Sequence, residues 1–467
     1  MTAIDPTAER NARAHQYSQE GRGDLAIPLF EEVLADRVRV LGTDHPDTLA
    51  SRNNLAGAYW SAGRVGEAIP LFEEVLADRV RVLGPDHPDT LASRNGLAGA
   101  YYSAGRLGEA IPLFEEVLAD RVRVLGDDHP DTLTSRNNLA AAYESAGRLG
   151  EAIPLYEQVL ADSVRVLGDD HPDVLGARNN LAVAYRVMGR LSEAIALFEE
   201  VVADSVRVLG PDRPHTLASR GNLAVAYQEE GRLNEAIPLF EEVVADSVRV
   251  LGPDHPHTLV SRYNLAGAYR EEGCLDKAIP LYEGVLADRV RILGADHPHT
   301  LVSRIDLAGA YQAAGRLGEA TTLFEGVLAD HARILGDDHP LTFTARNALA
   351  GTYQAAGRLS EAIPLYEGVL ADRVRVLGMD HPDTLTARHN LADAHQAAGH
   401  LSEAISLFEE ALAGRMRILG PIHSDTLVSR SHLAYAYLEA GRVDDATVVL
   451  DPPTDPDDVD AHRIESR

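Results

Sequence analysis

The sequence predicts an all-α solenoid of stacked antiparallel helix pairs, and three observations predict it. Ten glycines, Gly42, Gly84, Gly126, Gly168, Gly210, Gly252, Gly294, Gly336, Gly378 and Gly420, each follow a leucine and lie 42 residues apart without an insertion. A spacing that strict marks stacked repeats. Within one period, Leu49, Leu55, Ala56 and Tyr59 follow a helical spacing, and Ala68, Ile69, Phe72, Val75, Leu76, Val80 and Leu83 follow it again after "SAGR". Each period therefore holds two amphipathic helices. Finally, 467 residues exceed the size at which a single core keeps growing, which calls for several domains or a solenoid.

Taken in chain order, residues 1–46 form an N-terminal capping helix pair and linker. Arg13 stands where later repeats carry the core leucine, beside polar Glu9, Arg10 and Asn11, as a solvated end unit requires. Residues 47–420 make nine 42-residue units. In each, a proline such as Pro46 suits the first helical position, Asp47 favours the positive helix end, and Asp44 or His45 is the N-cap. Gly63 and Gly84 supply the turns that end the two helices. Pro70 falls within about the first turn of the second helix, where its missing donor has no helical partner. Residues 421–450 are a truncated unit, and 451–467, "DPPTDPDDVDAHRIESR", form an acidic disordered tail. Counting first helices gives eleven pairs.

Composition narrows the function. The net charge of −29, from 72 acidic against 43 basic residues, repels phosphate backbones and anionic lipid, so neither nucleic acid nor a membrane is an expected partner. The single cysteine, Cys274, allows no intrachain disulfide and no cysteine cage, consistent with a reducing cytoplasm. The opening segment lacks the apolar core of a signal peptide, and no run approaches the roughly 20 apolar residues of a membrane helix.

The sequence has no Gly-Lys-Ser/Thr phosphate loop, no HExxH and no predicted strand to carry a nucleophile elbow. The recurring "DHP" histidines, His45, His87, His129, His171, His255, His297, His339 and His381, come once per unit without a second ligand beside them, and read as helix-start residues. No catalytic residue, metal ligand or cofactor is assigned, and Cys274, in place of the turn arginine found as Arg64 or Arg106, reads as a neutral surface change.

The segment "HPDTLASRNNLAGAYWSAGRVGEAIPLFEEVLADRVRVLG", with Leu55, Ala56, Tyr59, Ala68 and Phe72 in place, resembles the 42-residue tetratricopeptide repeat of the kinesin light chain type. The resemblance implies a right-handed superhelix whose concave groove is lined by first helices. Because Leu55, Ala56 and Tyr59 face the core, Asn53, Gly57 and Trp60 project toward that groove, with Asn54 on its flank. Their counterparts form a ladder of Asn53, Asn95, Asn137 and Asn179 beside Asn54, Asn138, Asn180, Asn222 and Asn264. In the family, asparagines of the "NNLA" segment hold the main chain of an extended peptide. An amide offers both donor and acceptor and so fits this role.

Variation between units supplies specificity. Trp60 and Tyr102 make an aromatic end, Arg186 and Arg270 place positive charge in mid-groove, and Gly57, Gly99, Gly267, Gly309 and Gly351 leave room. The expected partner is an extended protein segment with an acidic residue and an apolar anchor, bound by a non-catalytic scaffold. The alternative is a sensor or regulatory repeat subunit acting in trans with a signalling ATPase or protease system.

One departure from the family is an arginine before "NNLA", Arg52, with copies in every full unit. A charge on a semi-apolar stripe needs a partner. Folding the chain about Asp44 brings Asp36 level with Arg52, Asp78 with Arg94, and so on, which predicts ion pairs between units, with Gly414 opposite Arg430.

Overall fold

The computed structural model describes residues 6–19 and 22–450, which hold twenty-two α-helices and no strand. They run as consecutive pairs, Pro6–Gln19 with Gly23–Leu41, Pro46–Ser61 with Val65–Leu83, Pro88–Ser103 with Leu107–Leu125, and so on to Ser424–Glu439 with Val443–Leu450. The array is an all-α solenoid of helix pairs. The chain divides into two compact units, 1–239 and 240–467, each built from the same repeat. Among the described residues no helix is long and apolar enough to cross a membrane. The expected tail at 451–467 lies outside the described residues.

The N-cap is His45 rather than Asp44. Its Nδ1 accepts the backbone N–H of Asp47 at 3.2 Å, and the same 3.2 Å bond recurs at His87, His129, His171, His255, His297, His339, His381 and His423. Only an unprotonated Nδ1 can accept this bond. The first helix ends where Arg64 N–H reaches back to the Tyr59 carbonyl and Gly63 takes φ +73, the glycine-closed helix end. Gly84, at φ 93 and ψ 162, occupies an extended mirror region open essentially to glycine alone.

Pro70 is deeper than expected. The second helix starts at Val65, so proline sits in the second turn and removes the bond its N–H would make to the Gly66 carbonyl. Repeats with Ala196, Thr322 or Ser406 at that place begin their second helices at the same point, Leu191, Leu317 and Leu401, so proline does not set the boundary.

Core residues Leu49, Leu55, Ala56, Ala68, Ile69, Phe72 and Val75 are buried as the spacing predicts. Val80 is not: it is 39% exposed, while its neighbour Arg79 is 3% exposed. Arg79 donates to the Asp89 carbonyl at 2.6 Å and to Ser93 Oγ at 2.8 Å, both on the next first helix. Arg121, Arg289 and Arg415 repeat the arrangement at Ser135, Ser303 and Ser429. Burial presses the Arg79 guanidinium pKa below its ordinary value, partly offset by Asp89. Adjacent helical residues point about 100° apart, and the buried stripe passes through Val75 and Arg79, one residue short of Val80.

That same offset corrects the ion pairs. Arg52 meets Asp78, not Asp36, at 2.6 Å, within one repeat. Arg94–Asp120, Arg136–Asp162 and Arg178–Asp204 follow at 2.6–2.8 Å in the first unit, and Arg262–Asp288, Arg304–Asp330 and Arg346–Asp372 at 2.6–2.7 Å in the second. Asp36 pairs with Arg10. Folding about Asp44 gives the right height, and Arg37 to Ser51 at 2.8 Å spans it, but Asp36 and Arg52 face elsewhere. Gly414 accordingly stands opposite Arg388, which turns to Glu410 at 3.2 Å. These arginines are occupied inside the repeat.

Each Asp78-type carboxylate also takes a second arginine. Arg81 lies 2.8 Å from Asp78 and 2.7 Å from Asp44, so one network joins the loop, the first helix and the second helix. Arg81 and then Arg52 hold the Asp78 carboxyl below its usual range against the opposing pull of burial.

Two expectations follow. Asp162→Ala strips Arg136, 3% exposed, of one of its two carboxylates, and urea unfolding is expected to show a loss of about 3 kcal/mol. Glu151→Ala, which breaks only the exposed Arg148 pair, is expected to leave the urea midpoint almost unchanged. The second concerns acid. Burial, then the neighbouring His257 or His299, lowers the pKa of His255 and His297. A base depressed by folding stabilises the fold fully above its unfolded pKa of about 6.5 and loses that contribution as pH falls through the lower folded value. His255→Asn/His297→Asn keeps a non-titrating cap, so thermal melts across that window should show less acid destabilisation than the parent. Equal loss would show that these caps carry no pH dependence.

Candidate functional site: the first-helix face

Every asparagine, aromatic residue and arginine assigned to this face is partly exposed on a first helix. The asparagines bond to one another between neighbouring repeats. Asn138 Nδ2 donates to Asn95 Oδ1 at 3.3 Å, Asn180 to Asn137 at 3.0 Å and Asn222 to Asn179 at 3.1 Å in the first unit, and Asn390 to Asn347 at 3.1 Å in the second. Such a rung uses one donor and one acceptor. It leaves the amino group of Asn95 and a carbonyl lone pair of Asn138 directed off the rung. Asn53 accepts from Ser93 Oγ at 2.7 Å, and Asn54 meets the His15 ring at 3.2 Å. Asn264 is partly exposed on its first helix, and within the second unit Tyr263 and Asp306 build a rung of their own.

A second set of rungs involves the residues expected to set specificity. Trp60 Nε1 donates to Ser103 Oγ at 2.8 Å, and the hydroxyls of Tyr102 and Ser145 lie 2.8 Å apart. The room expected at Gly99 is taken by Trp60, whose Cη2 lies 2.7 Å from where a Cβ would stand. Gly57 and Gly309 do face open space. The expected free positive charge in mid-groove is corrected: Arg186 pairs with Glu229 at 2.5 Å, and Arg270 lies 3.3 Å from Asp306. Both acidic partners come from the next repeat, so neither arginine is an uncompensated acid receptor.

On the flank, Tyr59-type hydroxyls tie each first helix to the preceding second helix, as in Tyr59 to Glu31 at 2.7 Å and Tyr227 to Glu199 at 2.7 Å. The turn arginine covers that ring, with Arg64 4.6 Å and Arg106 4.4 Å from the ring centres of Tyr59 and Tyr101. Where Cys274 removes this cation, Lys277 Nζ lies 4.8 Å above Tyr269. The lysine thus supplies the charge over the ring that the cysteine lacks.

In the second unit the face changes character at three residues that the sequence alone did not single out. His389 and Asp393 stand in the columns of Asn53 and Gly57, and His432 in the column of Asn54 one repeat on. His432 Nδ1 lies 2.9 Å from Asp393 Oδ1, and His389 Nε2 lies 3.6 Å from Asp393 Oδ2. Phe408 packs edge-on against both imidazoles. Burial holds the His389 pKa down to about 4. Aligning the repeats column by column would have exposed these three substitutions.

A tetratricopeptide repeat model matches residues 6–79, 53–121, 95–163, 146–205, 173–247, 216–273, 257–329, 305–373 and 343–417, and a second matches 427–452. The chain belongs to the tetratricopeptide repeat family. Its 42-residue period is the kinesin light chain-like form of the repeat. Among solved structures, a putative kinesin light chain of Podosopora anserina with nearly identical TPR-like repeats is 40% identical over 44% of this chain and 97% of its own, with a TM-score of 0.40. The apo quorum sensor NprR of B. thuringiensis is 14% identical over 79% of this chain and 99% of its own, at TM-score 0.53. A signal transduction ATPase with a tetratricopeptide repeat sensor, from Pyrococcus horikoshii, is 12% identical over 85% of this chain and 53% of its own, also at 0.53. The last two likenesses are of fold. No curated protein matches the sequence. Tetratricopeptide repeats generally bind protein partners.

Trp60 is the chain's single tryptophan and reports this face directly. Gly99→Ala is expected to displace the indole, break its bond to Ser103 and shift the emission maximum while circular dichroism is unchanged. Overpacking of this kind costs about 1 kcal/mol. An unaltered emission spectrum would mean that the ring does not rest on Gly99 in solution.

Proposed function

We propose that the chain is a non-catalytic scaffold that captures an extended segment of a protein partner along the first-helix face of residues 47–239. The observation that carries this reading is the row of asparagine rungs, each with an amide donor and a carbonyl acceptor to spare after the rung is made. Groups of that kind pair with a peptide main chain whatever its side chains. Trp60 and Tyr102 offer an apolar anchor at one end. Since Arg186 and Arg270 are compensated by Glu229 and Asp306 and the chain carries −29, an acidic partner gains nothing from long-range attraction. Neutral or basic extended segments fit better than the acidic ones first expected. The cytoplasm is the compartment proposed for this work. The alternative, a sensor or regulatory subunit acting in trans with a signalling ATPase or protease, uses the same face and differs in what the captured partner carries.

A peptide array probed with the full chain tests the reading. Asn137, Asn138, Asn179 and Asn180 replaced together by alanine should weaken every captured peptide at least about tenfold, taking roughly 1 kcal/mol for each lost main-chain bond and allowing for non-additivity, with helix content unchanged. Binding at full strength would place the peptide elsewhere. Partners identified by pull-down separate the scaffold from the sensor subunit.

A further inference from the structure

We propose that His389, Asp393 and His432 form a binding site for one divalent transition-metal ion of the zinc type, with a coordination position left open on the first-helix face. This stands apart from peptide capture at residues 47–239 and does not rest on it.

Among the described residues these three are the one group of three or more histidine, cysteine or acidic side chains whose donor atoms converge, all within 4.8 Å of one another. His389 and Asp393 are four residues apart on the helix Pro382–Ala397 and so share one side of it. His432 comes from the facing helix Ser424–Glu439. The donors thus stand on two packed helices, which hold them more firmly than loops would. Two imidazoles and one carboxylate are a donor set for zinc and its first-row neighbours. Metal–ligand distances of about 2.0–2.2 Å place donors around a tetrahedral ion about 3.4 Å apart. Rotations of Asp393 and His432, whose side chains are 30% and 43% exposed, can draw the group together.

A structural role alone accounts poorly for His389. Its Nε2 is 3.6 Å from Asp393, beyond hydrogen-bond reach, and its Nδ1 is buried without a partner. The residue is only 6% exposed. Asparagine at this column accepts a hydrogen bond from the next repeat, from Ser93 at Asn53 and from an asparagine amide at Asn95, Asn137, Asn179 and Asn347; histidine here forgoes the arrangement and leaves a buried nitrogen unsatisfied, which is costly. One repeat earlier the ordinary rung Asn390–Asn347 is intact, so the departure is local. The other histidine neighbours, His255 with His257, His297 with His299 and His395 with His400, supply two imidazoles each and no converging third donor. Three protein ligands leave the fourth position of a tetrahedral ion to water or to a carboxylate or imidazole of a docking segment.

Titration calorimetry of the chelator-stripped full chain with zinc chloride tests the site, together with cobalt(II) absorption as a readout of coordination. The expected result is one tight site per chain and visible cobalt bands. His389→Asn/His432→Asn rebuilds the asparagine pair of the other rungs, so it should stay folded by circular dichroism yet bind at least about 100-fold more weakly, beyond the 10–100-fold that loss of an outer hydrogen-bond partner to a ligand costs. Asp393→Asn gives an independent variant of nearly unchanged volume and should also abolish the tight site. His395→Tyr/His400→Arg, which restores residues found in other repeats, should leave it intact. The proposal is overturned if the parent shows no site tighter than the His389→Asn/His432→Asn variant, or if the tight site is lost with His395 and His400 instead.

Discussion

A carboxylate held between two arginines is the constraint from which the rest of each repeat is built. Asp78 takes Arg52 from the first helix and Arg81 from its own, and Arg81 reaches on to Asp44 in the preceding loop. Two helices and a loop are thereby fixed in rotation as well as in height, because each guanidinium finds its acceptors only in a narrow set of orientations. Once the pair is fixed, Asn53 and Trp60 stand on one side of the first helix and Tyr59 on its flank, and the face is set. Apolar packing alone leaves this rotation less determined, since a stripe of small alanines such as Ala56 and Ala68 can slide with modest loss.

Between repeats a different cation does the joining. Arg79 lies in the floor of the joint and donates to a main-chain carbonyl and a serine, so its charge meets dipoles rather than a carboxylate. Where serine stands in that column, as at Ser163 and Ser205, and where His331 does, the position is still buried. The joint therefore tolerates losing the cation, whereas no described Arg52-type pair of the inner repeats dispenses with its carboxylate except at Gly414.

The helices, their punctuation and the core were legible because they depend on spacing along one chain direction: Pro46 after a histidine cap, Gly63 and Gly84 at the ends, Phe72 and Val75 a helical step apart. Partners across helices were not. Height can be counted from a hairpin centre, but rotation cannot, and a one-residue error of about 100° put Asp36 in place of Arg37 and Val80 in place of Arg79 at the joint, while Arg52 turns to Asp78 of its own repeat. For the face, the expected columns fall on partly exposed first-helix positions, but their neighbours were not foreseen: Glu229 and Asp306, which neutralise Arg186 and Arg270, lie 43 and 36 residues away. His389, Asp393 and His432 went unseen because each is ordinary in its own repeat and unusual only when neighbouring columns are laid side by side.

The near-identity of the joints within each unit has a consequence for assembly. If Arg79, Ser93 and the asparagine rungs meet in the same way at successive joints, a repeat emerging during folding finds several docking partners of almost equal quality, in its own chain or in another copy. Uniformity therefore makes frame errors and exchange of helix pairs between molecules cheap. The irregular joints, Tyr263 with Asp306 and His389 against His432, act as address labels, since each is complementary to one neighbour and mismatched to the others.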